Sequence, residues 1–206
     1  MVRDESIHQL AGRLGEALIL RGRDEERDGR VRAARDSYAD AARHLEQAVL
    51  LAGDAADADR LARAHDHLVH LIGILEDPAG GLEHARTSLD LWRRLVALDG
   101  LAVWGRRFLH ALSVLAQIAL DADAPEEADC YLTEAGKFFA TPEYAETAPM
   151  PDREAAAVHR VRAIWLRRTG RPQEALETCG RALDSLGASG DTDTADPAPR
   201  PGTAEM

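Results

Sequence analysis

Small apolar residues recur along the chain at helical spacing, most clearly in the stretch GRPQEALETCGRALDSL at residues 170–186. Within this stretch Ala175 and Ala182 lie seven positions apart, which places both residues on one face of a helix. The distance between two packed helices depends on the side chains at their contact, and small residues allow a close approach. The pattern therefore predicts a helix that packs tightly against a neighbour.

The same pattern recurs upstream in steps of 47 residues. Such a step moves Pro172 onto Pro125 and then onto Pro78, and proline is favoured at the start of a helix because its missing N–H needs no partner there. The paired small residues fall in the same register: Ala34 and Ala41, Gly81 and Ser88, Ala128 and Ala135, and Ala175 and Ala182. A lone helix pair cannot bury its apolar face, so such a unit must be stacked on its copies.

Three further positions of this register recur with modest changes in size. The residue between the two small residues is Tyr38, Ala85, Leu132 or Cys179 in successive units. Twelve residues before the first small residue stands Gly22, Val69, Ala116 or Ala163. The turn ahead of each unit's second helix carries Gly29, Glu76, Asp123 or Gly170, and glycine there suits a left-handed helix cap.

Eight helices follow from these boundaries, at residues 4–28, 31–52, 56–76, 79–98, 101–122, 125–139, 152–169 and 172–186. Alanine and leucine dominate, β-branched residues are sparse and aromatics are only 4%, so the predicted fold class is all-α. Residues 1–186 form the predicted repeat domain. The segment TPEYAETAPMP is a predicted linker, and residues 187–206 are too poor in apolar residues to fold, so we expect a disordered tail.

The small–small pattern and the GRPQEAL turn resemble the tetratricopeptide repeat, especially the long-helix variety of actinobacterial proteins. The 47-residue period exceeds the usual 34 of that motif, and most of its wedging aromatics are absent, with His65, Leu112 and His159 standing where a tryptophan is frequent. The resemblance implies an α-solenoid of four antiparallel helix pairs in a right-handed superhelix. It also implies that the first helix of each pair lines a concave surface.

The chain carries a formal charge of −11, which argues against general nucleic-acid binding. Its N-terminus intersperses charged with apolar residues, and no stretch approaches 18 uncharged apolar residues. We therefore expect neither a secretory signal nor a membrane span, and a cytoplasmic location. The two cysteines, Cys130 and Cys179, are too few for a disulfide scaffold, and we expect both to be buried and reduced.

Sequence motifs of nucleotide binding, zinc proteases and serine hydrolases are all absent. The stretch AHDHLVH places His67 and His70 three positions apart, with Asp66 beside them and His110 as a candidate fourth ligand. A zinc site needs three or four convergent ligands from more than one element, so we expect solvated or packed histidines, no metal and no cofactor.

Polar residues on the inner helices predict a binding groove that is mostly basic. The predicted groove residues are Arg63, Asp66 and His70, then Arg106, His110, Ser113 and Gln117, then Arg153, Arg160 and Arg167. A basic groove in an acidic protein concentrates anionic ligands such as an acidic peptide or a terminal carboxylate. The opposing interpretation is that these arginines are solvated or paired with Asp66, Glu76 and Asp121.

The leading functional hypothesis is a protein-interaction module, an adaptor or regulatory subunit that holds a peptide or helix of a partner. The alternative is a helical enzyme or small-molecule binder in which His70 and His110 act as acid–base groups. Self-association is also open, because Leu176, Leu183 and Leu186 of the last helix have no following helix to cover them. Trp92 and Trp104 are predicted to seal the junction between two repeats, and Trp165 is predicted to be core.

Overall fold

The computed structural model describes residues 6–75, 78–147 and 152–187. Two compact units divide the chain, Met1–Thr147 and Ala148–Met206. Throughout the described ranges every regular element is a helix, which confirms the all-α prediction. None of the helices described there is long and apolar enough to cross a membrane.

The eight predicted long helices are all present, and their ends lie within a few residues of the predicted ones. The first unit contains α1 (Ile7–Arg27), α2 (Val31–Ala52), α3 (Ala55–Ile74), α4 (Pro78–Asp99), α5 (Leu101–Asp121), α6 (Pro125–Phe139) and a short α7 (Pro142–Thr147). The second unit contains α8 (Arg153–Arg168) and α9 (Pro172–Gly187). The predicted tail lies outside the described residues except for Gly187, which ends α9.

Helix α7 corrects the prediction that the segment after α6 is only a linker. Its Tyr144 ring packs edge-on against Phe138, with ring centroids 4.9 Å apart, and also contacts Phe139. The backbone N–H of Tyr144 donates to the Thr141 hydroxyl, which helps to start the new turn. The proline and threonine content that predicted a linker here instead begins a short helix.

Proline and left-handed residues set the helix boundaries. Helices α4, α6 and α9 begin at Pro78, Pro125 and Pro172. The turns before α2, α6 and α9 contain Gly29, Asp123 and Gly170 with φ of 72°, 56° and 79°, so these turns have the predicted left-handed geometry. The corresponding Glu76 lies outside the described residues. Gly53 and Gly100, which precede α3 and α5, also have positive φ.

The core of the first unit lies between consecutive helices, each of which packs against the next from α1 to α6. The short connections make these neighbours antiparallel. The small residues of the sequence pattern line these contacts: Ala34, Ala41, Gly81, Ser88, Ala128 and Ala135 are all buried. In the second unit α8 packs against α9, and Ala163, Leu166 and Ala175 form its buried cluster with the partly buried Trp165 beside them.

Glycines in α1 show how closely the helices approach. A Cβ atom added to Gly15 would lie 2.5 Å from Cγ of Leu45 on α2, and one added to Gly22 would lie 3.0 Å from the Tyr38 ring. A Cβ atom at Gly15 would overlap the Leu45 side chain, and one at Gly22 would require the Tyr38 ring to move by a few tenths of an ångström. The absence of a side chain is what permits the α1–α2 contact.

The cysteines and two of the tryptophans were each predicted to lie in a particular environment. Cys130 and Cys179 are exposed rather than buried, because each lies on the outer side of its helix. Trp92 is fully buried, and its ring centroid lies 5.8 Å from that of Trp104. The two tryptophans therefore pack together between α4 and α5, where the sequence predicted a seal.

Candidate functional site

A cleft opens in the first unit where α3, α4 and α5 meet. Its volume is about 190 Å³, and its lining combines three polar side chains with four small apolar ones: Asp66, Val69 and His70 from α3, Ala85 from α4, and His110, Ala111 and Val114 from α5. Asp66 and His70 lie about one helical turn apart on α3, and Ala111 and Val114 lie slightly less than one turn apart on α5. Three predicted groove residues thus meet in one place, although their helices are distant in sequence.

Asp66 is anchored at the base of the cleft by two hydrogen bonds from α4. The Ser88 hydroxyl donates to Oδ1 over 2.5 Å, and the indole Nε1 of Trp92 donates to Oδ2 over 3.3 Å. Burial raises the pKa of the Asp66 carboxyl, whereas the hydrogen bonds and the nearby charges of His110 and Arg107 lower it. The pKa is raised overall, and the two hydrogen bonds from α4 hold the side chain in a fixed position.

Cationic groups surround this carboxylate without covering it. The guanidinium carbon of Arg107 lies 5.9 Å from the centroid of the Trp92 ring, which is within range of a cation–π contact. His70 and His110 are exposed at the rim of the cleft. A ligand would therefore meet an apolar floor, one buried carboxylate and two imidazoles at the rim.

The other predicted groove residues of the first unit have different surroundings. Arg63 pairs with Asp59 on its own helix, with nitrogen and oxygen 2.7 Å apart. Ser113 is buried, and its hydroxyl donates to the His110 carbonyl. The Gln117 amide donates to the carboxylate of Asp121. Arg106 is exposed on α5.

Arg153, Arg160 and Arg167 belong to the second unit and lie on α8. All three are exposed, and their seven-residue spacing keeps them on one helix face. They form a short basic stripe within that unit. Of the acidic residues named in the opposing interpretation, Asp66 accepts hydrogen bonds from Ser88 and Trp92, Asp121 accepts from Gln117, and Glu76 lies outside the described residues.

The remaining histidines of AHDHLVH are engaged in packing. The His65 Nδ1 lies 3.0 Å from Nδ1 of His84 on α4, and its Nε2 is buried without a hydrogen-bond partner. Burial, together with the neighbouring His84, lowers the pKa of His65 to about 4. His67 stacks on Tyr38 with ring centroids 4.4 Å apart and contacts the Glu26 carboxylate. His65 is thus the predicted interface wedge.

Among the described residues, no three histidine, cysteine, aspartate or glutamate side chains are placed so that they could hold a metal ion. His67 points toward Tyr38 and His65 toward His84, so the histidines of α3 diverge. The hydroxyl that touches the cleft carboxylate belongs to Ser88, which is 1% exposed and therefore inaccessible to a substrate. The cleft is better suited to binding than to nucleophilic catalysis.

Seven residues that shape the site were not among the predicted groove residues: Val69, Ala85, Ser88, Trp92, Arg107, Ala111 and Val114. The repeat register did mark Ala85, as the smallest residue at a position that elsewhere holds tyrosine, leucine or cysteine. That difference in size was the available signal for a cleft.

Comparisons with protein families and with curated protein sequences found no match. Among solved structures, the chain is similar to the crystal structure of BtubC (BKLC) from P. vanneervenii, with a TM-score of 0.56 and 15% sequence identity. The likeness covers 95% of this chain and 87% of that chain. At this identity the likeness concerns the fold alone.

Proposed function

We propose that this chain is a TPR-like helical repeat protein that acts as an adaptor or regulatory subunit. Its proposed architecture is four stacked helix pairs with a 47-residue period. The left-handed turns support this period, because Gly53 and Gly100 are 47 positions apart and so are Asp123 and Gly170. The helix starts at Pro78, Pro125 and Pro172 follow the same interval.

The cleft between α3, α4 and α5 is the single observation that carries the binding role. Its volume of about 190 Å³ falls below the roughly 300–1,000 Å³ of typical small-molecule sites. A cleft of this size fits one side chain of a partner segment better than a whole metabolite. The partner segment would lie along the faces of α3 and α5 that carry His70 and His110.

The face of α3 and α5 is a better candidate for partner binding than the surface that joins α4 and α6, because the charges on that surface are already paired. There Arg86 pairs with Glu127 over 2.7 Å, and Arg93 pairs with Glu134 over 2.6 Å. Such exposed pairs stabilise a fold little, but they satisfy the charges that a partner would otherwise contact. Within the second unit, the basic stripe of Arg153, Arg160 and Arg167 separately favours an anionic partner.

Site-specific photo-crosslinking in the native organism tests the binding role. A photoreactive phenylalanine analogue replaces His70 or His110 at the cleft, and replaces Arg35 or Arg94 as exposed controls on α2 and α4. We expect one discrete protein adduct from both cleft positions and none from the controls. Adducts from the controls alone, or none from any position, would contradict the proposed function.

A helical enzyme or small-molecule binder is the second candidate, because His70, His110 and Asp66 line one cleft. Histidine titrates near neutrality and suits acid–base catalysis. Incubating the full chain with a metabolite extract of the native organism, followed by proton NMR, tests this candidate. Turnover that disappears in the His70→Ala and His110→Ala variants would replace the adaptor proposal; unchanged spectra would leave the adaptor in place.

A homodimer through α9 is a separate proposal about assembly. Leu176 and Leu183 are 67% and 68% exposed, and Leu186 continues the same apolar stripe. Light scattering of the wild-type chain and of Leu183→Glu tests it. We expect the wild-type mass to be that of a dimer and the variant mass to be halved, whereas a monomeric wild type would rule the dimer out.

A further inference from the structure

In the first helix pair, α1 and α2, the tyrosine Tyr38 occupies a register position at which the second pair, α3 and α4, has a small residue beside a cleft. Tyr38 stands 47 positions before Ala85 in the sequence, so the two residues share one register position on α2 and α4. Tyr38 is fully buried, and its ring lies against Gly22 of α1. Ala85 lines the cleft together with Val69, which stands 47 positions after Gly22.

The walls of the cleft match the surroundings of the Tyr38 ring. Tyr38 also stacks against His67 of α3, with the two ring planes only 3° apart. The residue 47 positions after His67 is Val114 of α5, which lines the cleft. Val69 and Val114 thus line the cleft at the two register positions that contact the Tyr38 ring in the first pair, those of Gly22 and His67.

From this correspondence we infer that the cleft binds one aromatic side chain of the partner, of tyrosine or tryptophan type, carrying a hydrogen-bond donor. The inference rests on the proposed function, and it names the group that the partner inserts. A cavity of about 150 Å³ is known to hold a benzene ring, so the cleft volume of about 190 Å³ suffices for a phenol.

Asp66 supplies the polar contact for such a ring. Each of its carboxylate oxygens already accepts one hydrogen bond, from Ser88 and from Trp92. A carboxylate has about four acceptor sites, so Asp66 retains capacity for the O–H of a phenol or the N–H of an indole. In the first pair the Tyr38 hydroxyl also donates to a carboxylate, Oε2 of Glu26 over 3.1 Å, although Glu26 and Asp66 stand at different register positions.

The test uses 4-fluorophenol as the probe and the full chain as the protein, with fluorine NMR as the measurement. We expect saturable binding with a Kd on the order of 1 mM, as suits a ligand of so few atoms. The Ala85→Tyr variant should weaken binding at least tenfold, because its own ring would fill the cleft. Ala97→Tyr, at an exposed position of the same helix, should bind like the wild type.

A second variant covers the case in which Ala85→Tyr does not fold. Ala85→Leu places in the cleft the residue that position 132 carries in the third pair, where Leu132 is buried. It should also abolish saturable binding, with helicity checked by circular dichroism. Binding retained in a folded Ala85 variant, or no saturation by the wild type, would overturn the inference. Tighter binding of methylguanidinium than of 4-fluorophenol would also overturn it, since a cation would then be the ligand.

The two proposals fail in different ways. Binding of 4-fluorophenol without any crosslinked partner leaves the cleft assignment standing and refutes the adaptor. A partner crosslinked at His70 together with no probe binding refutes the aromatic ligand and leaves the adaptor standing.

Discussion

Replacing Gly15 by alanine should destabilise the protein, although alanine is the better helix former. In an exposed helix interior this exchange stabilises by about 0.5–1 kcal/mol. Here the new methyl group would lie 2.5 Å from Cγ and 2.9 Å from Cδ2 of Leu45, whose side chain is fully buried. Because Cγ is the branch point of leucine, rotating the terminal methyl groups cannot relieve the overlap.

The balance of these two effects gives the expected magnitude. Overpacking a filled core costs typically about 1–3 kcal/mol, and subtracting the helix-propensity gain leaves a net loss of roughly 1–2 kcal/mol. Urea denaturation followed by circular dichroism measures this loss as a lower midpoint with an unchanged slope.

Gly73→Ala provides the matched control within the same unit. Gly73 is exposed near the end of α3, and an added Cβ would meet no atom within 4 Å. We expect its free energy of unfolding to stay unchanged or to rise by up to about 1 kcal/mol. If Gly15→Ala stabilised the protein as much as Gly73→Ala, the close contact between α1 and α2 would be refuted.

Three other predictions test packing, protonation and the basic stripe. Ala128→Trp should destabilise by about 1–3 kcal/mol or more in urea denaturation, since Ala128 is fully buried, and an unchanged midpoint would contradict the register of the repeats. The pKa of His65 falls from 6.5 to about 4 on folding. The contribution of His65 to the free energy of unfolding should therefore be fully present above pH 6.5 and be lost as the pH falls toward 4, by at most about 3 kcal/mol. His65→Leu should flatten that decline in denaturation measured across pH, whereas an equally steep decline would show that other groups cause it. For a partner segment that binds the second unit, calorimetric titration should show Arg160→Glu weakening affinity about tenfold or more and Arg181→Glu changing it little, and equal effects would exclude the stripe on α8.

Helix boundaries could be predicted because they depend on local chemistry. Pro78, Pro125 and Pro172 fix helix starts through the missing N–H, and Gly29 and Gly170 fix the turns through left-handed backbone geometry. The segment that forms α7 was missed because Pro142 was interpreted as part of a linker rather than as a helix start, and because the contacts of Tyr144 with α6 do not follow from the local sequence.

The candidate site was predictable only in part, because a cleft depends on side-chain volumes from three helices. Asp66, His70 and His110 were named from their positions on inner helices. The hydrogen bonds of Asp66 with Ser88 and Trp92 depend on how far α3 is shifted along its axis relative to α4. The spacing of residues along one helix does not determine that shift. The same limit explains the exposed cysteines, since helical periodicity did not indicate which face of α6 or α9 was covered.

A methyl NMR titration of the full chain with the crosslinked partner segment tests the central claim most directly. The proposed binding face predicts saturable shifts of the methyl groups that line the cleft, those of Val69, Ala85, Ala111 and Val114. It also predicts that these shifts vanish in Ala85→Tyr while Ala97→Tyr retains them. Shifts confined to α2 or to the exposed leucines of α9, with the cleft methyl groups unmoved, would contradict the claim.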